Sequence, residues 1–120
     1  MNNSGKVTTL KENHLFARAY RKGRCFSAKT VAVYVLNNRD KESTLVGITV
    51  SKSRGKAVKR NRAKRIIRES YRALHPFVKK GFIIVIVARQ PCIDARLPDV
   101  MSELEHILDK AALLTDGRSE

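Results

Sequence analysis

The sequence predicts an α+β fold, and three observations carry that expectation. Three segments have strand character: 30–36, 44–51 and 82–89. Three others, 10–22, 56–74 and 98–114, repeat their apolar residues at helical spacing. The order is helix, two or three strands, helix, strand, helix, without the regular alternation of a βαβ protein. The chain's 120 residues, 42% hydrophobic, suit one domain with a modest core. We take 1–8 and 115–120 as flexible tails around a domain spanning 9–114.

The first helix follows from Thr9 and Glu12, which fit the S/T-x-x-E capping box. Leu15, Phe16, Ala19 and Tyr20 then share a face, and Gly23 can close the helix. A short extra strand fits around 24–28. TVAVYVL, 30–36, places Val31, Val33 and Val35 on one face and Ala32, Tyr34 and Leu36 on the other. The polar stretch NNRDKES then leads to TLVGITVS, 44–51, and the two strands are expected to pair as a hairpin. FIIVIVAR, 82–89, is apolar on both faces and belongs inside the sheet. In the last helix Val100, Met101, Leu104, Ile107, Leu108 and Ala111 form one stripe. Pro98 suits a first helical position, and Asp99 and Glu103 suit the positive end of the helix dipole.

The middle helix, KAVKRNRAKRIIRESYRAL, breaks a local rule. Ala63, Ile66, Ile67, Ser70, Tyr71 and Leu74 fall on one face, as for a helix packed on a sheet. Asn61, Arg65, Arg68 and Arg72 run along the opposite face, flanked by Arg62 and Lys64. From Lys52 to Arg68 there are nine basic residues and no acidic one. A solvated helix face normally mixes signs, and cations at a helix start oppose its dipole. An anionic partner resolves the conflict. Free N–H groups at a helix start attract phosphate, and added Arg and Lys deepen the positive well. The formal net charge of +14 likewise points to polyanions, and six of the eleven acidic residues lie after Pro98.

The stretch VGITVSKSRGKAVKRNRAKRIIRESYR, 46–72, closely resembles the signature of the bacterial ribonuclease P protein component, centred on Arg60-Asn61-Arg62. Phe16 and Tyr20 in the first helix, Tyr34 in its strand and the segment IIVIVARQP match as well, so the resemblance covers about residues 9–114. It implies an α-β-β-β-α-β-α sandwich with a central sheet. In it a left-handed crossover carries the Arg-Asn-Arg helix, as in the second domain of ribosomal protein S5. The usual preference is right-handed. It implies the non-catalytic protein subunit of a ribonucleoprotein endonuclease, one protein to one RNA, in the cytoplasm. There the RNA subunit cuts the 5′ leader from precursor tRNA, with Mg²⁺ held mainly by RNA and substrate phosphates. RNA-subunit contacts are then expected from Lys52, Lys56, Lys59, Arg60, Asn61, Arg62, Lys64, Arg65 and Arg68. Leader contacts are expected from Phe16, Tyr20 and Tyr34, whose rings can stack on unpaired bases. Ser53-Arg54 and Lys56 depart from the family pattern in the loop entering the helix.

Other chemistries find little support. His14, His75 and His106 are dispersed, Cys25 and Cys92 lack metal-ligand spacing, and no Gly-rich phosphate loop occurs. The basic segment holds no carboxylate pair for acid–base work. No apolar run reaches the roughly 18 residues of a membrane span, and the first residues lack the apolar core of a signal peptide. A general RNA-binding or ribosomal structural protein shares the charge pattern. A DNA-reading helix would need a helix-turn-helix partner that the sequence does not show. A membrane-surface helix would carry Trp or Phe where this one has Ala63 and Ser70.

Overall fold

The computed structural model describes residues 8–51 and 55–115. The elements in chain order are β1 (Thr8–Thr9), α1 (Asn13–Lys22), β2 (Arg24–Ser27), β3 (Val31–Asn37), β4 (Leu45–Thr49), α2 (Ala57–Leu74), β5 (Phe82–Ala88) and α3 (Leu97–Lys110). Short 3₁₀ turns follow α2 at His75–Phe77 and β5 at Gln90–Asp94. The sheet order is β1-β4-β5-β3-β2. The architecture is the expected α+β sandwich, with the two-residue β1 added at one edge.

The layers follow from the alternation in β3. Val31, Val33 and Val35 join Ile84, Ile86 and the apolar stripes of α2 and α3 in the larger core. Tyr34 and Leu36 face the other way, onto a smaller cluster built around Leu10, Ala19, Ile83 and Val85 beneath α1. The buried residues of α2 are the six that the helical spacing selected: Ala63, Ile66, Ile67, Ser70, Tyr71 and Leu74. Inside that face the Tyr71 hydroxyl shares a 2.7 Å hydrogen bond with His75 Nδ1.

Three expectations need correction. First, β3 and β4 do not pair as a hairpin. β5 lies between them, antiparallel to β3 and parallel to β4. A strand apolar on both faces is most stable at the sheet centre, and that demand overrides pairing between chain neighbours. The hairpin that does form joins β2 to β3, where the Ala28 N–H donates to the Val31 carbonyl at 2.8 Å.

Second, Thr9 does not cap α1. It pairs with Val46 in β1, and the Leu10 N–H donates to the Val46 carbonyl at 2.9 Å. The helix therefore starts at Asn13, with Glu12 as its N-cap. Thr8 belongs to the sheet as well, while 1–7 lie outside the described residues.

Third, α3 ends at Lys110 rather than 114. Ala112 takes a positive φ of 62°, and the Leu113 N–H reaches back to the Leu108 carbonyl at 2.9 Å. That closure turns buried Leu113 and Leu114 back onto the core, where Leu114 bridges Val78.

Candidate nucleic-acid interface

Because β4 and β5 are parallel neighbours, α2 is the crossover between them, and it begins at the sheet edge where β4 ends. Its first residues are held in a strained electrostatic arrangement. Lys56 is the N-cap, in extended conformation, with no side-chain cap and no acidic residue in the first turn. Within the helix's own cap and first turn, no carboxylate offsets the positive end of the dipole.

The basic residues of α2 divide by what they touch. Lys64, Arg65 and Arg68 are exposed and have no carboxylate partner among the described residues. Arg72 continues that exposed stripe, and Asn61 is exposed at its start. Arg60 is half-buried and donates from Nε to the Gly55 carbonyl at 3.1 Å, bracing the loop before the helix. Lys59 pairs with Asp94 at 3.6 Å, an exposed contact of little energetic weight. Arg62 differs from the rest. Its terminal nitrogens donate to the Ile93 carbonyl at 3.1 Å and the Ala95 carbonyl at 2.9 Å. Lys52 lies outside the described residues, as do Ser53 and Arg54.

The α1 face of the sheet carries the aromatic candidates. Tyr20 and Tyr34 meet edge to face, with centroids 5.0 Å apart and planes at 81°. Tyr20 is 44% exposed, a high value for so large an apolar ring. Partial burial raises its phenol pKa, an effect that a hydrogen bond with Thr49 opposes. The Tyr34 phenol is raised chiefly by a hydrogen bond with Cys25, its cross-strand neighbour. Phe16 reaches the same face but is half-buried, its ring seated over Gly47.

Register adds residues that sequence reasoning did not select. Thr49, Val87 and Ala32 form a row across β4, β5 and β3, one step from the Tyr34 row, and all three are half-exposed. Val87 is hidden in a uniformly apolar strand, and its place beside Tyr34 depends on a register that no local signal encodes. The half-open strip thus runs from the tyrosines to the sheet edge at which α2 begins.

Bonds tie that edge together. The Glu103 carboxylate accepts from the Thr30 N–H at 2.8 Å and from its hydroxyl at 2.7 Å. The Arg89 N–H donates to the Thr30 carbonyl, and its guanidinium to the Ala28 carbonyl. Among the described residues, no group of three or more His, Cys, Asp or Glu side chains could hold a metal ion. No helix among them is long and apolar enough to cross a membrane.

These features define a class: a small α+β sandwich whose crossover helix presents an exposed basic stripe on one side of the sheet, with a half-open aromatic strip on the other. Comparison with known proteins gives the particular family. The family model described as Ribonuclease P matches residues 5–112. The ribonuclease P protein component of Symbiobacterium thermophilum is 38% identical over 109 residues, covering 91% of this chain and 95% of that protein. That of Clostridium acetobutylicum is 40% identical over 110 residues, covering 91% and 92%. The solved RNase P protein of Staphylococcus aureus superposes with a TM-score of 0.80 at 34% identity, covering 92% of this chain and 100% of that one. That of Thermotoga maritima gives 0.75 at 25%, covering 85% and 96%. The chain belongs to the ribonuclease P protein family.

Proposed function

We propose that this chain binds the RNA subunit of ribonuclease P through α2 and the 5′ leader of precursor tRNA through the Tyr20–Tyr34 strip. It thereby promotes removal of the leader to give the mature tRNA 5′ end. The observation that carries the reading is the exposed stripe of Lys64, Arg65 and Arg68, cationic, unpaired among the described residues and set on the family's signature helix. A phosphate backbone supplies the missing counter-charge. Neutralising several phosphates releases counterions and makes binding steeply salt-dependent.

Aromatic faces in the strip suit unpaired bases without demanding a sequence, at about 1–3 kcal/mol per stacked base. Hydrolysis belongs to the RNA subunit. The Mg²⁺ of the reaction would be held mainly by RNA and substrate phosphates. The protein's part is to bind and orient. We place it in the cytoplasm, as one protein per RNA.

The test is cleavage of precursor tRNA by a bacterial ribonuclease P RNA at low Mg²⁺, with and without this protein. Restored cutting at the mature 5′ end is the expected result. Tight RNA binding without rescue would instead favour a general RNA-binding or ribosomal structural role. Within the complex, Tyr34→Ala should lower the preference for leader-bearing over mature tRNA by about 5- to 160-fold, the equivalent of one lost stack. An equal loss for both RNAs would make Tyr34 a packing residue.

A further inference from the structure

The geometry points to Arg62 as a positioning residue, a clamp that fixes the start of α2 against the segment joining β5 to α3, and not as a phosphate contact. Its function rests on the ribonuclease P role proposed for the chain, whereas the clamp itself rests on geometry alone.

The two terminal nitrogens of Arg62 each donate to a different backbone carbonyl, at 3.1 and 2.9 Å, and the acceptors belong to buried Ile93 and Ala95. A planar guanidinium can span two such oxygens in fixed orientation, which a lysine ammonium on a flexible stem does not reproduce. Buried Cys92 lies in the same segment. Burial raises its thiol pKa to about 11, against the opposing pull of the nearby Arg62 charge. One turn earlier on α2, Lys59 reaches Asp94 in the same 3₁₀ turn. Arg65 and Arg68, by contrast, have no such partner among the described residues.

The clamped segment also connects with the leader strip. It runs between Arg89, which holds the 28–30 turn, and α3, whose Glu103 binds Thr30 in that turn. Arg62 therefore sets the angle between two surfaces, the basic stripe and the sheet edge where the aromatic strip opens. A change at Arg62 should disturb both together, while a change at Arg65 should affect the RNA-subunit contact alone.

The experiment compares wild type, Arg62→Ala, Arg62→Lys and Arg65→Ala. Affinity for the RNA subunit is measured over a range of salt, with precursor-over-mature discrimination in the assembled complex. Hydrogen exchange is followed in the free protein at the Cys92 and Ala95 amides, which are hydrogen-bonded. Arg65→Ala should flatten the log–log salt slope by about 0.7–0.9, the signature of one lost phosphate, and keep the discrimination. Both Arg62 variants should keep the wild-type slope, exchange faster at Cys92 and Ala95, and lose about tenfold in affinity, as for hydrogen bonds from a charged donor. Both should also lose discrimination.

The inference is overturned if Arg62→Lys behaves as wild type, or if Arg62→Ala flattens the slope as Arg65→Ala does with exchange unchanged. Should Arg62→Ala fail to fold, Arg62→Lys decides alone by the same readouts. If wild type does not bind the RNA, the ribonuclease P reading fails, and exchange in the free protein still decides whether Arg62 is a clamp.

Discussion

At the residue scale, the clearest constraint is the contact between Gly47 and Phe16. A Cβ at Gly47 would sit 2.5 Å from the Phe16 ring, far inside van der Waals contact. Gly47→Ala should therefore push the ring and α1 outward, costing about 1–3 kcal/mol as overpacking does. Adding Phe16→Leu should recover part of that loss, and thermal denaturation of the single and double variants measures the coupling. Simple additivity would show that the two positions do not touch. Phe16 was legible in the sequence as an aromatic on the buried face of a helix, but its partner was not. Gly47 reads locally as a weak point in a strand, and only the assembled sheet shows that the space beside it holds a ring. The division among the basic side chains was equally hidden. Arg62 and Lys64 look alike as flanks of one stripe, and nothing in their spacing says that one turns in to meet carbonyls from 31 and 33 positions away.

At the element scale, the helices and strands were largely legible because each carries its own periodicity. The buried face of α2 was readable residue by residue, since a helix packed on a sheet must show one apolar stripe. Strand pairing was not. β3 and β4 alternate and are joined by a polar turn, so they look like a hairpin until β5 claims the position between them. The start of α1 was misplaced for a related reason: Thr9 has a capping signature, yet sheet pairing uses its backbone first. The start of α2 gives a prediction that sets stability against function. Lys56→Asp would supply the side-chain cap that α2 lacks. It should stabilise the free protein by about 0.5–2 kcal/mol in urea denaturation while weakening RNA binding. If stability rose with affinity unchanged, the positive helix start would have no part in binding.

At the scale of the whole molecule, a charge of +14 on 120 residues should make the free protein and the proposed RNA complex respond oppositely to salt. Self-repulsion burdens the compact state, so added NaCl should raise the melting temperature of the free protein. The same salt should weaken RNA binding, because fewer counterions are then worth releasing. Inorganic polyphosphate should stabilise the free protein more than NaCl does at equal ionic strength. At a hundredfold excess over its Kd the gain would be about 2.7 kcal/mol. Equal shifts from the two would mean screening without an anion site. The total charge was legible from composition, and the sandwich from element order. The hand of the crossover came only from family resemblance, since the general preference runs the other way.

The central place of β5 also has a consequence in time. During synthesis β3 and β4 leave the ribosome before α2 and β5 do, so the sheet cannot be completed in chain order. Its middle strand arrives after its flanks, and α2 is the tether that delivers it. Closing such long-range contacts is the slow part of folding. Until it happens, β3 and β4 each expose an edge that β5 will later cover, an opening for mispairing in a newly made chain.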